Sequence, residues 1–182
     1  MLGGLHFSFD SYYVDLSHLP PEERARQNFD DPALIESSLL AKHVAALARG
    51  ETIARPRYDF SRHVRIPGQT DPVRSGAYLL VEGLFALYYA ELLPLYQLRV
   101  YVDTPDDVSL ARRLKRDVEE RGRSPESVRQ QYDKTVRPSS MRYVRPSAVH
   151  ADLILDGTEA LDWKIERVLA ALRDRGLLRR KS

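Results

Sequence analysis

From Leu5 to Phe9 apolar and polar residues alternate, Leu5, Phe7 and Phe9 against His6 and Ser8, the period of a strand with one face on a core. Asp10 stands where that strand would end. Leu19-Pro20-Pro21-Glu22-Glu23 then predicts a short helix, with proline in its first turn and acids near the positive end of its dipole. Asn28-Phe29-Asp30-Asp31-Pro32 stops it. Asp31 and Pro32 read as N-cap and first residue of a second helix, in which Leu34, Ile35, Leu39, Leu40, Val44 and Leu47 keep helical spacing until Gly50. Residues 51–76, rich in proline and in alternating polar and aromatic positions, predict an irregular β-hairpin outside the main sheet. Ala77 to Val81 is a continuous apolar run, expected of a strand buried on both faces, and it ends in Glu82-Gly83.

The second half continues the alternation. A helix is expected over about Ala86 to Leu93, then a strand from Leu98 to Val102 ending at Asp103. Thr104-Pro105-Asp106-Asp107 should cap a helix running to about Arg121 and ended by Gly122. Pro125 to Val136 predicts another helix, broken by Pro138. A strand from Asp152 to Leu155, a turn at Asp156-Gly157 and an amphipathic helix with Leu161, Ile165, Val168, Leu169 and Leu172 on one face complete the pattern. Strands alternating with helices define an α/β fold around a parallel sheet. No internal repeat or linker stands out, so residues 1–182 read as a single domain with a hairpin excursion at 51–76.

Composition narrows the picture. The chain has no cysteine, which excludes disulfides and thiolate metal sites and fits the reducing cytoplasm. Its apolar runs are too short to span a bilayer, and no leader precedes them, so neither membrane nor export is expected. The net charge is only +2, but cations crowd into Arg112 to Arg123 and into the tail Arg179-Arg180-Lys181. Local crowding points to a small anionic partner and not to a surface that coats nucleic acid.

Three groups of residues carry chemistry. Asp10 and Glu82 are acids at two strand ends, where they suit Mg²⁺ or a proton taken from a hydroxyl; the competing readings are a turn aspartate and a helix-entry glutamate. On the predicted helix Ser109 to Gly122, Arg113 and Arg116 share a face, with Arg121 and Arg123 flanking the glycine. Guanidinium forks match phosphate oxygens in pairs, whereas a solvated helix would use the same residues in i,i+4 pairs worth about 0.3–0.5 kcal/mol each. Phe29, Asp30, Tyr58, Phe60 and His63 fall in predicted loops and suit a flat base and a sugar diol, or else form an ordinary core edge.

In this order the residues resemble the uridine/cytidine kinase family: Asp10-Ser11-Tyr12-Tyr13, Asn28 to Pro32, Tyr58-Asp59-Phe60 with His63, Val81-Glu82-Gly83, Val102-Asp103-Thr104-Pro105, Arg112 to Asp117, Glu120 to Ser124, Gln131-Tyr132 and Val136-Arg137-Pro138. The resemblance covers nearly the whole chain, and the string from Arg112 to Pro138 favours this family over phosphoribulokinase and pantothenate kinase. It implies a three-layer P-loop kinase-like (NMP-kinase-like) fold with a helical lid at residues 112–138. It also implies transfer of the γ-phosphoryl of ATP or GTP to the 5′-hydroxyl of uridine or cytidine, with Mg²⁺, in a homo-oligomer. Asp10 then matches the general base and a neighbour of the magnesium, and Glu82 the magnesium-linked acid. Asp30 and Arg113 match the ribose contacts; Phe29, Tyr58 and His63 the pyrimidine pocket; Gln131 a substrate contact. Arg116, Arg121 and Arg123 match the lid arginines over the phosphates.

One departure stands out. The family's G-x-x-x-x-G-K-[ST], whose backbone amides and lysine cradle phosphates, has no counterpart in the chain. The resemblance therefore implies a fold lacking its first strand and phosphate-loop helix. A central strand of that kind contributes on the order of 8–15 kcal/mol, so a chain without it is expected to fold poorly and phosphorylate weakly. The simplest account is a start assigned at an internal methionine. A non-catalytic nucleotide-binding relative and a phosphoribulokinase-like enzyme are the alternatives.

Overall fold

The computed structural model describes residues 3–178; the basic tail at Arg179 to Lys181 lies outside them. The chain divides into two compact units, one up to Leu95 and one from Tyr96 onward.

In the first unit β1 (Gly4–Ser8) pairs in parallel with β4 (Tyr78–Glu82), from Gly4 opposite Tyr78 to Ser8 opposite Glu82. The alternation of the opening stretch is expressed directly: Phe7 and Phe9 are buried and His6 is exposed. They join Tyr12, Leu40, Val44, Leu47 and Leu92 in the core. A single 3₁₀ turn, Phe9–Tyr12, follows β1 and carries Asp10 out to solvent. The short helix α1 (Pro21–Ala25) begins at its proline as expected.

The second helix starts later than its pattern suggests. Asp31 caps only a 3₁₀ turn, Pro32–Leu34, and α2 runs over Ser37–Ala48. The intervening residues are held extended: Tyr13 bridges Ile35, Val14 N–H donates to the Leu34 carbonyl and Glu36 N–H to that of Tyr12. Pairing across the fold outweighs local helical spacing there. Residues 51–76 form the expected hairpin, β2 (Thr52–Asp59) against β3 (Val64–Arg74), as a separate antiparallel sheet. Its register shifts between Pro56 and Tyr58, beside a proline that has no N–H for the ladder.

Two expectations about the end of this unit fail. β4 is not buried on both faces, since Leu80 is 63% exposed and, among the described residues, β4 pairs with β1 alone. Nor is there a helix over Ala86 to Leu93. Ala86, Tyr88 and Leu92 donate instead to carbonyls three residues back, and a 3₁₀ turn, Leu93–Leu95, follows. Tyr89 is drawn into the core, with its hydroxyl donating to the Pro32 carbonyl.

In the second unit β5 (Val100–Asp103) pairs in parallel with β6 (Leu153–Asp156). Helix α3 (Asp106–Arg121) has Pro105 at its N-cap and no side-chain cap; Thr104 does not serve as one. Gly122 closes α3 in the left-handed region at φ 62°, where a Cβ would be strained.

The predicted break at Pro138 does not occur. Pro125 to His150 is one helical run: α4 (Pro125–Gln131), a π-turn Tyr132–Val136, α5 (Arg137–Ser139), a second π-turn Ser140–Val144, α6 (Arg145–Ser147) and a 3₁₀ turn Ala148–His150. Each π-turn ends on the valine of a Val-Arg-Pro-Ser, at 136–139 and 144–147, a local duplication the sequence reading passed over. The N–H of Arg137 bonds five residues back to Tyr132, and that of Arg145 to Ser140. Widening the turn makes room for the ring that would otherwise break the helix. The final helix α7 (Leu161–Asp174) leaves Leu161 and Ile165 exposed, with Val168, Leu169 and Leu172 half-buried, so its apolar face is only partly covered. Among the described residues each unit thus holds one parallel strand pair, β1 with β4 and β5 with β6.

Candidate functional site

The carboxyl ends of β1 and β4 lie side by side, which brings the turn bearing Asp10 to the same edge as Glu82. Gly83 fixes the exit from β4. Any Cβ there would stand 2.5 to 2.8 Å from Phe9 atoms, so the buried Phe9 ring is accommodated only because residue 83 is glycine. Glu82 Oε2 lies 3.1 Å from His6 Nε2, and both side chains are exposed. Asp10 and Glu82 are both carboxylates, the donor type Mg²⁺ prefers, an ion that commonly takes one or two protein carboxylates and completes its shell with water and phosphate oxygens. No cluster of three or more acids and histidines of metal-holding geometry exists among the described residues.

The same 3₁₀ turn leads from Asp10 to Tyr13, and Tyr13 belongs to a group of rings. Its ring meets Phe29 edge-on at 5.4 Å and Tyr58 at 5.6 Å, while Phe29 stacks on His63 at 4.6 Å and 25°. The aromatics assigned from sequence do gather. Tyr58 projects from β2 and not from a loop, and Phe60, packed on Tyr58, is 56% exposed. Phe29 and His63 already touch, so a planar ligand would lie along their edges or part them. His63 holds a left-handed backbone at φ 54°, a sterically costly conformation for a non-glycine residue. Asp30 sits half-buried beside Phe29, its amide bonded to Asn28 Oδ1.

The Tyr58 hydroxyl is buried and has no hydrogen-bond partner. Burial, then the charge of Asp15, pushes its phenol up to about 12. Arg65 ties the group together. Its guanidinium donates to the carbonyls of Tyr13 (2.9 Å) and Tyr12 (3.2 Å) and pairs with Glu36, and its N–H donates to Asp15. Sequence reading missed Arg65 and left Tyr13 without a role; the one early signal was a lone arginine among apolar neighbours in Val64-Arg65-Ile66.

In the second unit three arginines of α3, and Arg123 just beyond its end, converge on Asp117. Arg116 lies 2.8 Å from its Oδ1, Arg121 3.3 Å from Oδ1, Arg123 3.3 Å from Oδ2 and Arg113 3.7 Å from Oδ2. Arg123 also donates to Gln131 Oε1 at 2.7 Å. Of the residues read from sequence as phosphate and sugar contacts, Arg113, Arg116, Arg121, Arg123 and Gln131 are therefore gathered around one carboxylate. Asp117 itself went unrecognised beyond an i,i+4 pair. Nearby, Asp106 accepts from Arg137 and from the Tyr132 hydroxyl, whose pKa burial and that bond push up to about 12.

Parallel strand pairs, strands alternating with helices along the chain and acids at strand ends are features of the P-loop kinase-like class. Solved structures share it: a candidate fructose transport system kinase from Silicibacter sp. TM1040 superposes over 82% of this chain and 73% of its own, with TM-score 0.61 and 18% identity. A candidate uridine kinase from Bacillus stearothermophilus does so over 83% and 71%, with TM-score 0.50 and 16% identity. Within that class the chain belongs to the phosphoribulokinase / uridine kinase family, whose model matches residues 4–163. The uridine kinase of Chloroflexus aurantiacus is 43% identical over 172 residues, 92% of this chain and 82% of the relative. That of Vibrio cholerae is 43% identical over 146 residues, 80% and 68%. The family is one of kinase-type phosphotransferases.

Proposed function

We propose that the protein is a pyrimidine nucleoside kinase of the uridine/cytidine type, directing the γ-phosphoryl of ATP or GTP to a nucleoside 5′-hydroxyl. The observation that carries this reading is the turn Phe9–Tyr12, which follows β1, carries Asp10 and delivers the chain to Tyr13 in the aromatic group. Only Ser11 and Tyr12 thereby separate the proton-accepting carboxylate from the base-binding rings. Tyr13, Phe29, Tyr58 and His63 receive the base, and the unpartnered Tyr58 hydroxyl offers it a hydrogen bond. Asp30, beside Phe29, holds the ribose hydroxyls. Asp10 orients the 5′-hydroxyl and accepts its proton. Arg116, Arg121 and Arg123 contribute positive charge to the phosphate chain, in a reaction where positioning and charge neutralisation supply most of the catalysis. Asp10 and Glu82 would hold Mg²⁺, which supplies charge neutralisation at the phosphate oxygens when bound.

Without a G-x-x-x-x-G-K-[ST], the chain of 182 residues as it stands transfers phosphate weakly. Equilibrium dialysis with labelled uridine and with ribulose 5-phosphate separates this reading from a sugar-phosphate kinase. Uridine is retained and the sugar phosphate is not; the reverse result refutes the proposal. A coupled assay with uridine, cytidine and ATP should show only trace turnover, and full turnover would refute the weak-transfer claim.

A further inference from the structure

A structural ion pair needs one cation for one anion, but Asp117 is completely buried and carries four arginines, leaving three positive charges in excess. Among the described residues the ion pairs of Arg113, Arg116, Arg121 and Arg123 all end on this carboxylate. A carboxylate offers about four lone-pair sites, whereas each guanidinium presents five N–H donors, so most donors in the group remain uncommitted. Arg113 shows the shortfall: its Nε is buried, 3.7 Å from Oδ2, and has no hydrogen-bond acceptor. The remaining three are open to solvent to different degrees, Arg123 least and Arg121 most.

The backbone of the same residue contributes. The Asp117 carbonyl accepts from Gly122 N–H and from Arg123 N–H at 3.1 Å, and the left-handed Gly122 turns the chain so that Arg123 returns to the Asp117 side chain. Residues from both sides of the helix end are thus referred to one point. Burial alone would raise the Asp117 carboxyl's pKa, but the hydrogen bond and charge of Arg116, with Arg121 and Arg113, hold it below the ordinary aspartate value, so the group is an anion at neutral pH.

We infer that Asp117 is a positioning residue: it gathers these four arginines into a pre-organised trivalent cationic array that receives a polyphosphate chain. The inference rests on the kinase reading only for the identity of that chain as the donor's phosphates. Removing the carboxylate raises the local net charge by one yet lets four like charges splay, so it distinguishes organisation from simple charge.

Calorimetric titration of the full chain with inorganic tripolyphosphate and with orthophosphate tests this. The wild type should bind tripolyphosphate at least about tenfold more tightly than orthophosphate, and folded Asp117→Asn should lose about tenfold or more of that affinity despite its extra positive charge. No binding by the wild type, or a folded Asp117→Asn that keeps or gains affinity, overturns the inference. A merely structural aspartate would lower the melting temperature and leave the affinity of the folded chain unmoved. Should Asp117→Asn fail to fold by circular dichroism, Asp117→Glu applies, keeping the charge but shifting it by one methylene. It should bind tripolyphosphate at least about threefold more weakly, and equal affinity overturns the inference. Uridine titrated in parallel keeps the two readings apart. Uridine binding without tripolyphosphate binding refutes the array alone, and tripolyphosphate binding without uridine binding refutes the nucleoside reading alone.

Discussion

Tyr58 shows how a single side chain reports on the site. A buried hydroxyl without a partner costs stability, so Tyr58→Phe should leave folding unchanged or strengthen it by up to about 1 kcal/mol in urea denaturation. Uridine affinity should fall in the same variant, because the ligand is what the hydroxyl is offered to. A loss of stability with unchanged uridine binding would contradict that. The phenol's raised pKa has a sign that can be checked: the folded state holds its proton to about 12, so stability falls as pH rises above the ordinary value near 10. Residues of this kind were partly legible from sequence. Phe29, Tyr58 and His63 could be singled out as an aromatic set, but Tyr13 and Arg65 could not, since their roles depend on contacts made across 16 and 52 positions of chain. Asp117 was hidden for a related reason. Its neighbours in sequence are visible, but the return of Arg123 depends on the conformation of Gly122.

At the level of elements, the reading succeeded where one periodicity served one core face. The alternation of β1, the hairpin and the extent of α3 follow from pattern and punctuation alone. It failed where tertiary pairing or proline geometry intervened: at Leu34 to Glu36, drawn into extended pairing with Tyr12 to Val14, and at Pro138, absorbed by a π-turn. The stretch from Ala86 to Leu93 has helical composition but forms successive turns, with Tyr89 anchored to the Pro32 carbonyl. The junction of β1 and β4 yields a sharp test. Gly83→Ala places a methyl against the Phe9 ring and should cost about 1–3 kcal/mol in urea unfolding, by overpacking. An unchanged midpoint would show that Phe9 moves aside freely.

Across the molecule, the two units should respond differently to acid. In the first, burial holds His43 below its ordinary pKa beside the Tyr12 hydroxyl, so stability present above about pH 6.5 is lost as pH falls through the value for the unfolded chain toward the folded one. In the second, Asp106, Asp117 and Asp152 are all held below the aspartate range, with arginines contributing to each; their contribution persists above about pH 4 and disappears only as pH drops through the lowered values. Hydrogen exchange followed by mass spectrometry should therefore show protection lost in the first unit at a higher pH than in the second, and the opposite order would contradict these assignments. The exposed Leu80, Leu161 and Ile165 lay beyond sequence reading, because apolar periodicity says which face is apolar and not whether another element covers it. The most direct test of the central claim is a proton NMR titration of the chain with uridine. The account predicts saturable shifts of the ring resonances of Tyr13, Phe29, Tyr58 and His63; rings that stay unmoved at saturating uridine, or that respond to a sugar phosphate instead, would contradict it.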